Sequence, residues 1–272
     1  MSAKVLVITS GKGGVGKTTA TANIGSGLAL RGNRVLVIDA DIGLRNLDIV
    51  MGLENRIVYD LVQAIEGTCH VTQAMIRDRT MKNLFLIPAA QTRDKNAVSG
   101  DQMRALCEGL REDFEYIFID SPAGIEEGFK TSLAPADGAI VVTTPEVSAV
   151  RDADRVIGLI EASGLSTPAL VLNRVRPALV ERGDMMSTED ILSLLSVQLL
   201  GLVPEDEKIV VSTNRGVPAV HDPRGQAGAA FRRIVARLDG EDVPILDLES
   251  REGIWKRIRK VMGIQRAAVS RV

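Results

Sequence analysis

Apolar residues occur along the chain in short uninterrupted runs rather than in strict alternation with polar residues. A strand whose consecutive side chains are all apolar is covered on both faces, which is typical of a parallel sheet lying between two layers of helices. Such runs, rich in Val, Ile and Leu, predict strands at residues 4–9, 34–39, 83–89, 116–122, 139–145, 168–175 and 198–204.

The segments between these runs repeat their apolar residues at helical spacing. Because strand and helix alternate, the connections are expected to be right-handed βαβ crossovers. The predicted fold class is therefore α/β, with a doubly wound, mostly parallel sheet and a C-terminal amphipathic helix. The predicted helices span residues 17–32, 99–114, 148–164, 187–196 and 225–240.

The chain divides by composition into three parts. Residues 1–238 are expected to form one domain, and residues 239–253, which are acidic and lack a clear period, are expected to be a linker. Residues 254–272 contain six basic and no acidic residues, so with a total net charge of −2 the rest of the chain carries −8. An acidic body is poorly suited to nucleic acid, and we expect no nucleic-acid partner.

The basic tail has the pattern of an amphipathic helix. At 100° per residue its apolar residues share one face and most basic residues share the other, with Arg257 near the border. Such a helix lies in a membrane interface, so an anionic membrane surface is the predicted partner. A frayed tail, a helix docked on the body and a nucleic-acid arm are the alternatives. The membrane residues are Ile254, Trp255, Lys256, Arg257, Ile258, Arg259, Lys260, Val261 and Met262.

A glycine-rich stretch at residues 11–18, GKGGVGKT, follows the first predicted strand and precedes the first predicted helix. It fits the pattern GxxxxGK[ST], in which glycines let backbone N–H groups approach phosphate oxygens and the helix N-terminus adds its dipole. The motif predicts that Lys17 contacts the β- and γ-phosphates of ATP and that the Thr18 hydroxyl ligates Mg²⁺. The expected binding loop consists of Gly11, Lys12, Gly13, Gly14, Val15, Gly16, Lys17, Thr18 and Thr19.

A second lysine, Lys12, lies inside this loop. Its position would project it away from the phosphates that its own loop binds, and a facing second copy of the chain could receive it. We therefore predict a catalytic charge supplied in trans, comparable to an arginine finger. A solvated lysine is the alternative.

Polar residues follow several of the predicted strands, at the sheet edge that faces the nucleotide in doubly wound folds. Asp39 and Asp41 follow the second strand, and Asp120 ends the run YIFID, a Walker B pattern that predicts Mg²⁺ binding through water. Residues 121–124 are the predicted switch II, with Gly124 free to change conformation. The amide of Asn173 can pair a donor and an acceptor with adenine, so we assign it to base recognition.

Four segments carry a resemblance to a known family. The loop KGGVGKTT (12–19) resembles the deviant Walker A loop of the MinD/ParA class of P-loop ATPases, in which the early lysine contacts the nucleotide of the other subunit. The segments DADIGLRNLDIVMGLE (39–54), DSPAGIE (120–126) and VRDADRVIGL (150–159) are similar to the septum-positioning members of that class. The resemblance covers nearly the whole chain and implies an ATP-dependent homodimer.

The resemblance also implies roles for individual residues. Asp41 would position the lytic water, Asp39 would support the metal, and Pro204, Glu205 and Asp206 would lie beside the adenine. Two protein partners are implied: MinC, a division inhibitor that the ATPase recruits to position the septum, and MinE, which stimulates hydrolysis. The candidate contacts with these partners are Arg45, Asn46, Asp48, Asp152 and Asp154.

Other members of the same fold remain alternatives at this point. A DNA-partitioning ATPase of the ParA type and an ATPase that places flagella share the loop. An iron–sulfur carrier of this fold would need clustered cysteine ligands, whereas Cys69 and Cys107 lie far apart in the sequence. The N-terminus shows no secretory signal. We expect a cytoplasmic protein that is peripheral on the inner face of the cell membrane when it is bound to ATP.

Overall fold

A central β-sheet organises the chain. The computed structural model describes residues 2–246 and Leu248, and the statements below concern that part of the chain. The strands are β1 Lys4–Thr9, β2 Val35–Asp39, β3 Ile76–Arg77, β4 Leu84–Ile87, β5 Tyr116–Asp120, β6 Gly138–Thr143, β7 Ala169–Val175 and β8 Gln198–Pro204.

The eight strands form one sheet in the order β3-β4-β2-β5-β1-β6-β7-β8. All neighbouring strands run parallel except β3 and β4, which are antiparallel. The predicted α/β class and mostly parallel sheet are confirmed, and each of the predicted strands is present. The first strand, β1, lies between β5 and β6, so the loop that follows it emerges at the centre of the carboxyl edge.

Helices cover both faces of this sheet. The five predicted helices are confirmed, and each is one to five residues shorter than predicted: they span Lys17–Leu30, Gly100–Leu110, Val147–Ala162, Thr188–Leu195 and Gln226–Leu238. The helices are α1 Lys17–Leu30, α2 Leu47–Val50, α3 Leu61–Ile65, α4 Val71–Ala74, α5 Gly100–Leu110, α6 Glu127–Leu133, α7 Val147–Ala162, α8 Pro177–Arg182, α9 Thr188–Leu195, α10 Lys208–Asn214 and α11 Gln226–Leu238, with 3₁₀ turns at Glu54–Arg56 and Ala219–His221.

Successive residues of a single strand enter two different hydrophobic cores. In β1, Val5 and Val7 pack into one core, while Leu6 and Ile8 pack into the other. All four side chains are buried. This arrangement explains the uninterrupted apolar runs in the sequence, because both faces of a central strand are covered by helices.

The first residues of the predicted linker are packed on the domain. Asp239 forms an ion pair with Arg31 at 2.6 Å, and Arg31 also pairs with Glu241. The backbone carbonyl of Val243 accepts a hydrogen bond from Arg237 at 2.7 Å. We call residues 239–246 the C-terminal strap. The predicted membrane residues of the tail and the remainder of the predicted linker, apart from Leu248, lie outside the described residues.

Two glycines join distant parts of the chain by direct backbone contact. Gly52 follows α2 and Gly216 follows α10, and both have positive φ, +66° and +61°. A Cβ atom on Gly216 would lie 2.3 Å from the Cα of Gly52, and one on Gly52 would lie 2.6 Å from the carbonyl oxygen of Gly216. Side chains are therefore excluded at both positions by backbone atoms, which cannot move aside as a flexible side chain would.

Replacing Gly216 with alanine is expected to lower the free energy of unfolding by about 2–5 kcal/mol. A left-handed conformation costs a non-glycine residue about 1–2 kcal/mol, and the backbone clash adds about 1–3 kcal/mol. Gly164→Ala is the matched control, because Gly164 has φ +89° and a Cβ there meets open space. Urea denaturation measures both variants, and equal losses would contradict the role of the contact.

Candidate nucleotide site

The phosphate loop joins β1 to α1 at the centre of the carboxyl edge of the sheet. Gly16 caps α1 with φ +95°, a conformation that favours glycine. A Cβ atom on Gly16 would also lie 2.2 Å from Nδ2 of Asn173. Glycine is therefore required here both by the backbone conformation and by the close approach of β7.

Lys17 and Asp120 form a buried ion pair at the base of this loop. Nζ of Lys17 lies 2.8 Å from Oδ1 of Asp120, and the two side chains are 7% and 1% exposed. Thr21, one turn further along α1, donates its hydroxyl to the same oxygen at 2.9 Å. A buried ammonium group needs a counter-charge, so phosphate binding by Lys17 would exchange this carboxylate for phosphate oxygens.

Asp39 holds the segment that follows β2. Its Oδ1 accepts a hydrogen bond from the backbone N–H of Asp41 at 3.0 Å, and its Oδ2 accepts from Asn46 and Leu47, both at 3.2 Å. We call residues 39–46 switch I. Burial, followed by the charge of Asp120, raises the pKa of Asp39 to about 7. Its predicted contact with the metal stays a prediction.

The predicted metal residues Thr18, Asp39 and Asp120 fit a cation that keeps most of its water. Asp39 and Asp120 lie opposite each other on the paired strands β2 and β5, and among the residues that the structure describes the buried Oδ2 of Asp120 has no hydrogen-bond partner. Residues 2–246 and Leu248 contain no cluster of three or more His, Cys, Asp or Glu that could hold a metal ion. Mg²⁺ bound by one or two protein oxygens, phosphate and water suits this donor set.

Asp41 lines a cavity between switch I and the predicted switch II. The cavity has a volume of about 260 Å³. Burial raises the pKa of Asp41 above its ordinary value, while the ammonium groups of Lys17 and Lys95 act in the opposite direction. We call it the switch cavity, and its lining residues are Ala40, Asp41, Ile42, Leu44, Lys95, Asn96, Pro122, Ala123, Glu126, Glu127 and Gly128.

The two loop lysines have opposite environments. Lys17 is buried, whereas Lys12 is exposed at the surface and its Nζ lies 3.4 Å from Oγ of Ser148 on α7. The start of the loop packs closely on the same helix, because a Cβ atom on Gly11 would lie 2.2 Å from the carbonyl oxygen of Asp152. The arrangement leaves Lys12 accessible to a second molecule, and its contact in trans stays a prediction.

The predicted base-recognition residues meet where β7 and β8 end, but internal contacts engage three of them. Asn173 donates one Nδ2 hydrogen to the carbonyl of Val15 at 2.8 Å. Glu205 forms an ion pair with Arg176, and Asp206 accepts from the backbone N–H groups of Lys208 and Ala227 at 3.0 and 3.1 Å. Pro204 is the last residue of β8. Adenine recognition by Asn173 would therefore use its second amide hydrogen or its Oδ1.

The predicted partner residues differ in accessibility. Asn46 and Asp154 are exposed and Asp152 is half-buried. Asp48 is only 1% exposed, and its Oδ2 lies 3.0 Å from Nε of Arg45. A direct contact between Asp48 and a partner does not fit this burial, so its contribution would come through holding Arg45.

Comparison with known proteins identifies the family of this site. The family described as the CobQ/CobB/MinD/ParA nucleotide binding domain matches residues 6–219. The septum site-determining protein MinD of Synechocystis sp. is 51% identical to the chain over 259 residues, which cover 94% of this chain and 97% of that protein. The chain belongs to the MinD family. The Synechocystis relative in this family is named a septum site-determining protein.

Solved structures of MinD proteins have the same fold as this MinD-family chain. The MinC:MinD cell division protein complex of Aquifex aeolicus matches with a TM-score of 0.85 and 46% identity, covering 90% of this chain and 99% of that one. MinD of Pyrococcus horikoshii complexed with Mg-ADP matches with a TM-score of 0.80 and 28% identity, covering 88% of this chain and 96% of that one.

Sequence patterns left some residues of the site unassigned. Thr21 shares the carboxylate of Asp120 with Lys17. Its spacing of four residues from Lys17 on α1, which places both on one face of the helix, is the sequence feature that could have identified it. Arg176, which holds Glu205, and Lys95, which lines the switch cavity, carry no motif.

Within the described part of the chain, no helix is long and apolar enough to span a membrane.

Proposed function

We propose that the chain is a Mg-ATP-dependent ATPase that dimerises when it binds ATP and positions the division septum from the membrane surface. One observation carries this proposal: a single phosphate loop holds a buried lysine, Lys17, and an exposed lysine, Lys12. One positive charge serves the nucleotide of its own subunit, and the other is available to a facing subunit. The Mg-ADP complex of the Pyrococcus relative supports nucleotide and metal use.

The chemistry assigned to the chain is hydrolysis of ATP to ADP and phosphate. Lys17 binds the β- and γ-phosphates after it leaves Asp120, and the loop N–H groups bind the remaining phosphate oxygens. Thr18, Asp39 and Asp120 would hold Mg²⁺, which would supply positive charge to the phosphates. The carboxylate of Asp41 orients the attacking water, and Lys12 of the facing subunit stabilises charge as the phosphoryl group is released.

Membrane binding is assigned to residues 254–272. Each fully buried apolar side chain contributes at most about 1.5–3 kcal/mol, and each basic residue near anionic lipid adds about 1 kcal/mol. Ordering the helix costs about 1–2 kcal/mol per residue, so a single tail binds weakly and reversibly. Two tails on one dimer gain an avidity on the order of 10²–10⁴-fold. Hydrolysis separates the subunits and releases the protein to the cytoplasm.

The proposed partners are those of the family. The Aquifex relative forms a complex with MinC, and we propose that this chain recruits MinC to inhibit division away from the septum site. We also propose that MinE stimulates hydrolysis. Arg45, Asn46, Asp152 and Asp154 are the contact candidates, with Asp48 acting through Arg45.

Deleting residues 254–272 is expected to abolish ATP-dependent binding to liposomes containing anionic lipid, while nucleotide affinity stays unchanged. The apolar face and the basic charges are lost together, whereas the site lies within residues 11–206. Co-sedimentation with ATP and with ADP measures the effect. Truncation after residue 264 is the matched control, since it keeps the amphipathic segment and is expected to keep binding. Sedimentation of the longer deletion with liposomes would contradict the assignment.

A further inference from the structure

The loop that follows β4 runs beside switch I. Strands β2 and β4 are parallel neighbours, with Ile38 opposite Ile87, so both chains leave the sheet at the same edge. The backbone N–H of Gly43 in switch I donates to the carbonyl of Ala90 at 2.8 Å. This contact holds the start of the loop containing Lys95 against the segment containing Asp41.

Asp41 and Lys95 line the switch cavity together. Among the residues that line it, all of which belong to the described part of the chain, Lys95 is the only basic one. The carboxylates on the lining are Asp41, Glu126 and Glu127, and Glu127 is already paired with Lys130 at 3.1 Å. Lys95 therefore lies in a cavity whose charges otherwise repel one another.

The carboxylate of Asp41 lacks the direct restraints that its neighbour has. Within residues 2–246, Asp39 accepts three backbone hydrogen bonds, whereas no hydrogen bond to the carboxylate of Asp41 is present. A group that aligns a water molecule must be held in orientation, because small misplacements of reacting groups are costly. The orientation of Asp41 then depends on the charges around it, and two cations attract it: Lys17 in the phosphate loop and Lys95 on the lining of the switch cavity.

We propose that Lys95 is a positioning residue for hydrolysis, whose ammonium group holds the carboxylate of Asp41 in the orientation that aligns the attacking water. The inference rests on the proposed ATPase function and on the role of Asp41 in it. Lys95 acts through Asp41 and does not contact the nucleotide, so it affects the rate of hydrolysis and leaves ATP binding unchanged.

The test compares Lys95→Ala, Lys95→Gln and Lys95→Arg in the full chain. Removal of the charge is expected to lower kcat for ATP on the order of tenfold, with KM changed less than twofold, and Lys95→Arg should restore most of the rate. The ATP-bound dimer, followed by light scattering after a single addition of ATP, should persist longer by a similar factor. Arg93→Ala is the matched control, because Arg93 lies in the same loop and pairs with Glu66.

The outcomes separate this inference from the proposed function. An unchanged kcat for Lys95→Ala, in a chain that hydrolyses ATP and requires Asp41, would overturn the role of Lys95 alone. A raised KM with unchanged kcat would also overturn it, because it would show a contact with the nucleotide. Absence of ATP hydrolysis by the wild-type chain would overturn the proposed function. In an Asp41→Ala background, Lys95→Ala is expected to have no further effect, and an additional loss would contradict the inference.

Discussion

Replacing Lys12 with alanine is expected to abolish ATP-dependent dimerisation while ATP still binds to the monomer. The buried Lys17 and the backbone of the loop remain to bind the phosphates of the same subunit. The exposed Lys12 is the charge that a facing subunit would receive, and a cation supplied in trans contributes on the order of 10³-fold or more to hydrolysis. Light scattering with ATP measures the dimer, and phosphate release measures the rate.

Ser148→Ala is the matched control for this variant, because it removes the contact between Lys12 and α7 within one subunit. We expect Ser148→Ala to keep both ATP-dependent dimers and hydrolysis. If Lys12→Ala formed normal dimers, the proposed contact in trans would be wrong. If Ser148→Ala lost dimers to the same extent, the internal contact would explain the effect.

Replacing Asp41 with alanine is expected to lower the rate of hydrolysis on the order of 10²–10³-fold, an effect typical of removing a positioned catalytic group. The contacts of Asp39 with switch I use the backbone N–H of residue 41 and survive the change. ATP should therefore remain bound, the dimer should persist and the protein should stay on liposomes. Phosphate release and liposome co-sedimentation after addition of ATP measure the two effects.

Asp101→Ala is a control for the loss of a carboxylate, because Asp101 is exposed on α5 and pairs only with Arg104 among the described contacts. We expect wild-type hydrolysis from it. Wild-type turnover by the Asp41→Ala protein would show that Asp41 does not take part in hydrolysis. Rapid release of the Asp41→Ala protein from liposomes would show that detachment from the membrane does not require hydrolysis.

The strands and long helices were predictable because each has a physical reason visible in the sequence. Both cores draw on alternate residues of β1, so its apolar run is uninterrupted. The short elements were not predictable in the same way. The four residues of α2 and the two residues of β3 are too few to show a period, and their positions depend on contacts with distant parts of the chain.

The C-terminal strap was missed for a related reason. Residues 239–246 are acidic and contain Pro244, which is typical of a linker when read locally. The residue that holds them, Arg31, lies more than 200 positions away in the sequence at the end of α1. Long-range pairing of charges leaves no periodic signal, so only the folded arrangement reveals it.

The features of the candidate site also divide into those that the sequence predicts and those that only the structure reveals. The placement of the glycine-rich loop between β1 and α1 was predictable, because its glycines, lysine and threonine have the spacing of a phosphate-binding motif that joins a strand to a helix. The burial of Asp48 was not predictable, because a polar residue between Leu47 and Ile49 is as compatible with an exposed side chain as with a buried one. The engagement of Asn173 with the carbonyl of Val15 also required the structure, since β7 meets the loop only after folding.

Helix α1 links the phosphates to the C-terminal strap as a rigid spacer. It begins at Lys17 and ends at Leu30, beside the arginine that fixes the strap, so its 14 residues set a distance of about 21 Å. Loss of a phosphoryl group near Lys17 therefore changes no direct contact at the C-terminal strap, because the two lie at opposite ends of the helix. Under the proposed function, membrane binding by the tail therefore depends on whether the protein is a monomer or a dimer. The nucleotide affects membrane binding only by changing this oligomeric state.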